Sequence, residues 1–243
     1  MPPNAASDGL PPAIVIPAAG VGARVGGERP KQYQYLGNAF LIDVTLERLA
    51  RAVPGAALMV ALGAGDGWWA STRSAAADCV RTCIGGATRA ESVLNALQAL
   101  ALPEEHPVLV HDAARPCITG GDIHALMEGV GCSEAGGLLA QAVTDTIKEV
   151  DGARHVLATR DRSHLWRAQT PQLFPAGVLE RALLRAAAAG APVTDEASAV
   201  EYLGLKPLVV PGRADNIKVT HPGDLAMAAW LIEQQQQAGG AVT

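Results

Sequence analysis

Lysine is scarce in this chain: Lys31, Lys148, Lys206 and Lys218 stand against fifteen arginines. Basic residues are themselves outnumbered, 19 to 24, and the net charge of −5 leaves no excess to neutralise a phosphate backbone. Broad nucleic-acid binding is therefore not expected. Four cysteines, Cys79, Cys83, Cys117 and Cys132, are too few and too irregular for a disulfide framework in 243 residues. Cys79 and Cys83 are four apart and no second Cys or His pair completes a zinc set, so the cysteines read as small apolar residues in or near strands. No uncharged apolar run approaches the roughly 18 residues of a spanning helix, so no membrane association is expected. Residues 1–12 lack the positive and apolar regions of a signal peptide and read as a disordered lead-in, with the cytoplasm as the expected compartment. Motifs of nucleophilic and zinc hydrolysis, G-x-S-x-G and H-E-x-x-H, are missing too.

What is present is a chain with 49% hydrophobic residues, enough for one large α/β domain over 13–235, followed by a frayed tail at 236–243. Short apolar runs at 13–16, 56–62, 80–84 and 107–111 read as buried strands. Helical spacing falls between them at 40–53, 66–77 and 87–101, and again at 122–130 behind a Thr119 cap. Such alternation predicts a mostly parallel, Rossmann-like sheet with ligands at the carboxyl ends of its strands. The loops after Ile16 and Val110 are then expected to face one cleft. From 136 onward the pattern changes: Asp151-Gly152 is a hairpin turn signal between alternating stretches. A hairpin added late to an α/β domain has little core of its own, so the arm at about 142–163 is read as a dimerisation arm, a solvated hairpin being the alternative. A return strand at 165–170, helices at 176–189 and from Thr194, a strand at 206–210, an extended segment at 215–219 and a last helix from Pro222 to about Gln235 complete the reading.

The stretch AIVIPAAGVGARVGGERPKQ, residues 13–32, joins the first strand to a glycine-rich loop. Gly20, Gly22, Gly26 and Gly27 let backbone N–H groups approach an anion. A P-loop is excluded because Glu28 and Arg29 stand where Lys and Ser/Thr are required, and the dinucleotide fingerprint because Val25 replaces a glycine. Arg24 and Lys31 in a long loop suit a triphosphate better than a dinucleotide pyrophosphate. A mobile surface loop with ordinary charges is the plainer alternative.

Directly after the best strand comes His111-Asp112-Ala113-Ala114-Arg115-Pro116. A carboxylate there could hold Mg²⁺, which takes one or two carboxylates and leaves its other positions to phosphate and water. Equally, Asp112 could cap the next segment and pair with Arg115. Thr88 to Val93, with Arg89 and Ser92 behind Gly85-Gly86, is a weaker signal, as is Arg213 to Thr220, which carries Asp215, Asn216 and Lys218. Arg24, Lys31 and Lys218 around a glycine cradle, with Asp112 for metal, describe a site for phosphoryl or nucleotidyl transfer. An attacking phosphate monoester, with a second pKa of about 6, is already ionised and needs no general base.

Six ordered segments, PAAGVGARVGGERPKQY, VHDAARP, VTDT, TPQLF, TDEASAVEYLG and GRADNIKVT, resemble the motifs of 2-C-methyl-D-erythritol 4-phosphate cytidylyltransferases. The resemblance covers nearly residues 13–232 and implies transfer of CMP from CTP to methylerythritol phosphate, with Mg²⁺, in the non-mevalonate route to isoprenoids. It matches Arg24 and Lys31 to the pair that stabilises the transition state and Lys218 to a lysine near the α-phosphate. Ala18, Ala19, Gly86 and Ser92 match cytosine-side contacts, Gly20 and Gly22 belong to the phosphate cradle, and Asp112 matches the metal and ribose-side carboxylate. Thr146 and Arg162 match arm residues that reach the methylerythritol phosphate of a neighbouring subunit, making a homodimer part of the site. Arg115, Thr170, Thr194 and Asp215 fall in family positions near that substrate. Val25, where methionine is common, and Ala90-Glu91, where a polar residue and Asp are common, depart from the pattern. Ribitol-5-phosphate cytidylyltransferase, or a nucleotide-binding regulator without turnover, are the rival readings.

Overall fold

Ile14, Val15 and Ile16 show why the centre of the sheet lies where it does. They carry no polar side-chain atom and are wholly buried, and along an extended chain they alternate between two faces. Ile14 and Ile16 pack into one apolar layer with Leu46, Leu49, Leu58, Val60 and Leu109. Val15 packs into the opposite layer with Met59, Val93, Leu97, Val108 and Phe174. A strand needing cover on both sides belongs in the middle of a sheet with helices above and below.

The computed structural model describes residues 10–20 and 29–240. Its strands are β1 (Ala13–Ala18), β2 (Tyr35–Leu36), β3 (Ala39–Phe40), β4 (Leu58–Leu62), β5 (Val80–Ile84), β6 (Pro107–Val110), β7 (Gly137–Ala142), β8 (Ile147–Val150), β9 (Val156–Arg160), β10 (Trp166–Pro175) and β11 (Leu208–Pro211). Its helices are α1 (Leu41–Ala52), α2 (Arg89–Leu100), α3 (Gly120–Val130), α4 (Ala176–Ala188), α5 (Glu196–Tyr202) and α6 (Pro222–Gly240). Seven strands form the main sheet in the order β11-β7-β10-β6-β1-β4-β5. All neighbours run parallel except β10, which is antiparallel to both β6 and β7. The mostly parallel α/β architecture expected from the sequence is therefore present.

α3 begins with the expected capping box: the Thr119 hydroxyl accepts from the Asp122 amide, and the Asp122 carboxylate accepts from Thr119. The helix expected over 66–77 does not form. The Asp66 carboxylate accepts from the Trp68 and Trp69 amides at 2.9 and 3.0 Å. Asp43 accepts from the amides of Arg73 and Ser74 and from the Ser74 hydroxyl. Those acceptors compete with the helical ladder, and two 3₁₀ turns, Trp69–Ser71 and Ser74–Ala76, result. β10 in turn outruns the expected return strand. Pro171, which has no N–H to give, falls within the register shift between Ala168 and Gln172, so the strand continues past it to Pro175.

β8 and β9 pair as a separate antiparallel ribbon, with Val150, Val156 and Leu157 48%, 60% and 63% exposed. Cys83 lies in β5 and Cys117 is buried, as expected of small apolar residues. Cys79 and Cys132 depart from that expectation: both are exposed, Cys79 just before β5 and Cys132 in the turn that follows the Gly131 cap of α3. No helix among the described residues is long and apolar enough to cross a membrane.

Candidate active site

The register of β1 brings the site together. Ala18 pairs with Leu62, Leu62 with Ile84, and Val15 with Val110, so β1, β4, β5 and β6 release their loops on the same side. A cleft of about 320 Å³ opens there, lined by Ala18, Ala19, Gly20, Lys31, Gly86, Arg89, Ser92, Asp112 and Lys218 among others.

Two glycines after β5 let α2 approach. A Cβ on Gly85 would stand 2.7 Å from the Ala19 Cβ and 2.8 Å from the Ser92 Oγ, and one on Gly86 2.2 Å from the Glu91 Cβ. Neither position accepts a side chain without displacement. The Gly86 amide donates to Ser92 Oγ at 3.1 Å, and that hydroxyl donates to the Thr88 carbonyl at 2.9 Å. Thr88 and Glu91 form a capping box, so the Glu91 that departs from the family pattern serves the start of this helix. The N-terminus of α2, positive by its peptide dipoles, therefore faces the cleft.

Asp112 is 8% exposed and surrounded by cations. Its Oδ2 lies 2.7 Å from Lys218 Nζ and 3.8 Å from Arg115 Nε. Its Oδ1 accepts from Arg89 Nη2 and Nε at 3.1 and 3.2 Å. Burial works against the charged carboxylate, but Arg89, Lys218 and Arg115 outweigh it and hold the group well below the usual carboxylate range. Arg89 also pairs through Nη1 with Glu196, which is 1% exposed and whose pKa burial raises despite that pairing. Arg89 stands out only weakly in the sequence and Glu196 not at all, because the pair joins residues 107 apart.

A neutral relay holds the Asp112 backbone. The Asp112 amide donates to Thr170 Oγ1 at 3.0 Å, and Thr170 Oγ1 lies 3.1 Å from His111 Nδ1. His111 Nε2 meets the Arg115 carbonyl at 3.1 Å. A carbonyl can only accept, so Nε2 carries the proton and Nδ1 accepts from the Thr170 hydroxyl. Burial pushes the His111 pKa down to about 4, which keeps the ring neutral near pH 7.

Lys31 begins the 3₁₀ turn Lys31–Tyr33. Gln32, which the sequence reading passed over, donates to the carbonyls of Ala18 and Gly20 at 2.8 and 3.2 Å and fastens this turn to the end of β1. Arg24 and Gly22 lie outside the described residues. Arg115 and Thr170 are buried beneath the cleft, where Arg115 Nη1 donates to the Asn216 carbonyl at 2.7 Å. Asp215 instead turns to Arg213 and Gln235, and Thr194 lies exposed before α5. Thr146 and Arg162 are exposed at the foot of the β8–β9 ribbon and do not line this chain's cleft.

A strand-end cleft that joins a helix N-terminus to fixed cations is the arrangement of a nucleotidyltransferase of the α/β class. The family model described as 2-C-methyl-D-erythritol 4-phosphate cytidylyltransferase matches residues 13–234, and the chain belongs to that family. It is 48% identical over 222 residues to the enzyme of that name from Aeromonas hydrophila, covering 91% of this chain and 89% of the relative. With that from Hahella chejuensis it shares 44% over 229 residues, 92% of this chain and 94% of the relative. The solved Francisella tularensis enzyme superposes with a TM-score of 0.78 at 37% identity, covering 90% of this chain and 98% of the other. A crystal structure described as 4-diphosphocytidyl-2C-methyl-D-erythritol synthase gives 0.77 at 38% identity, with coverages of 90% and 97%.

Proposed function

We propose that the cleft at the end of β1 holds CTP and that its cations carry the transfer of CMP to 2-C-methyl-D-erythritol 4-phosphate. The products are 4-diphosphocytidyl-2-C-methyl-D-erythritol and pyrophosphate, made for isoprenoid synthesis. The observation that carries the residue roles is the meeting of Lys31, Lys218, Arg89 and the α2 N-terminus in one cleft. Cytosine lies against Ala18, Ala19, Gly86 and Ser92, and the triphosphate runs past Gly20 toward Lys31 and Lys218, with Gly22 and Arg24 of the glycine-rich segment supplying further donors. A dianionic phosphate oxygen attacks the α-phosphorus in line; that P–O bond forms as the bond to the β-phosphate oxygen breaks, and pyrophosphate leaves. No proton need be removed from the nucleophile. The protein supplies placement and positive charge where negative charge builds.

Among the described residues no three His, Cys, Asp or Glu gather as a self-sufficient metal site. Asp112, held ionised, is the residue that would hold Mg²⁺, sharing its oxygens with Lys218 and Arg89. Bound there, the ion would spread the charge of the departing pyrophosphate.

The β8–β9 ribbon is read as the arm of a homodimer. Its exposed Val150, Val156 and Leu157 need cover, and Thr146 and Arg162 at its foot then serve the neighbouring subunit's methylerythritol phosphate. Arg115, Thr170, Thr194 and Asp215 are assigned to the polyol-phosphate side. The cytoplasm is the compartment proposed for this reaction. Lys31→Ala is expected to lower kcat by on the order of 10² with the fold retained. A near-normal kcat, followed by pyrophosphate release, removes Lys31 from the mechanism. Ribitol 5-phosphate assayed beside methylerythritol phosphate tests the substrate choice, and faster turnover of ribitol phosphate would overturn it.

A further inference from the structure

Arg29 touches none of the cleft, yet it is held more elaborately than a surface arginine requires. Its guanidinium carbon lies 4.8 Å from the centroid of the Trp68 ring, 4.9 Å from Tyr35 and 5.6 Å from Phe40. This box is built by several elements. β2 and β3 pair Tyr35 with Phe40, whose rings stack at 4.9 Å. Asp66 fixes Trp68 through its amide, and Trp68 stacks on Tyr33 at 6.4 Å. Tyr33 donates its hydroxyl to Asp66 at 2.7 Å and meets Phe40 edge-on at 6.0 Å. The Arg29 carbonyl accepts from Gln34 Nε2 at 2.9 Å, and the Tyr33 amide donates to the Pro30 carbonyl at 3.0 Å.

Lys31 thus sits between two anchors on one aromatic cluster, Arg29 before it and Tyr33 after it, while Gln32 ties the same turn to β1. We propose that Arg29 is a positioning residue: its guanidinium, boxed by Tyr35, Phe40 and Trp68, fixes where the chain re-enters the turn and so sets where the Lys31 ammonium stands in the cleft. A planar cation stacks on ring faces, and an uncharged side chain of similar length fills the same space without that attraction. This inference rests on the proposed role of Lys31 and deepens it.

The experiment measures kcat, KM for each substrate and Tm on the full chain. Arg29→Met is expected to lower kcat by about tenfold at nearly unchanged Tm and KM for methylerythritol phosphate, and Arg29→Lys to recover most of that loss. Tyr35→Leu, on a half-exposed ring, removes one wall of the box with little risk to folding and is expected to reproduce the kcat loss. In a Lys31→Ala background, Arg29→Met is expected to change kcat no further, because the two act as one unit. Wild-type kcat in Arg29→Met, equal losses in Arg29→Met and Arg29→Lys, or an undiminished loss in the Lys31→Ala background overturns the proposal. If Lys31→Ala is itself fully active, the reading of the site fails; if it is slow while Arg29→Met is normal, only the inference fails.

Discussion

Arg89 is shared by two buried carboxylates, Asp112 and Glu196. Its removal leaves both without their common counter-charge, since Lys218 reaches Asp112 alone. Arg89→Met is expected to destabilise the fold by about 3–5 kcal/mol near neutral pH, the cost of breaking a buried ion pair from one side. The loss carries a pH signature of known sign. With Arg89 gone, burial and mutual repulsion raise the folded-state pKa of Glu196 further above its ordinary 4.5. A carboxyl raised in the folded state contributes stability below its unfolded pKa and loses it as pH rises through the folded value. The deficit of Arg89→Met relative to the parent is therefore expected to shrink as pH falls toward 4.5 in urea titrations run side by side. A deficit independent of pH contradicts the shared-charge assignment. The His111 ring, whose folded pKa burial holds at about 4, loses stability below its ordinary 6.5; the Arg89 charge adds to that lowering, so its removal lessens the loss and shifts the difference in the same direction as Glu196.

Among the elements, the β8–β9 ribbon makes the sharpest claim. Arg162 stands exposed at its foot and outside its own chain's cleft, a placement that suits the role proposed for it toward a second copy. Arg162→Ala is expected to raise KM for methylerythritol phosphate by about tenfold or more while leaving KM for CTP nearly unchanged, as loss of a charge-assisted phosphate contact would. Equal effects on both substrates contradict the arm's assignment. The ribbon was legible because the Asp151-Gly152 turn and flanking alternation are local signals, as were α2 and α3 because each carries its own cap. Residues 66–77 misled because their fate is decided by Asp43, thirty residues away from Arg73 and in another element. β10 was only half read because Pro171 looks like a terminator until its place in a register shift is known.

At the scale of the whole molecule, a chain of net charge −5 concentrates positive charge where four parallel strands end. Low-dielectric walls around such a cluster focus its field on an anion. The two conspicuous loops of this cleft could be read from the sequence, since a glycine-rich stretch and a strand-end Asp follow apolar runs directly. The Arg89–Glu196 pair, the Gln32 fastening and the aromatic box around Arg29 could not, because each depends on residues far apart in sequence that only the sheet order brings together.

The cleft at the end of β1 is proposed to hold the triphosphate of CTP between fixed cations. A crystal structure of the chain with CTP and Mg²⁺ tests it most directly. The expected result is cytosine against Ala18, Ala19 and Ser92 with the triphosphate reaching Lys31 and Lys218; a nucleotide bound anywhere else contradicts it.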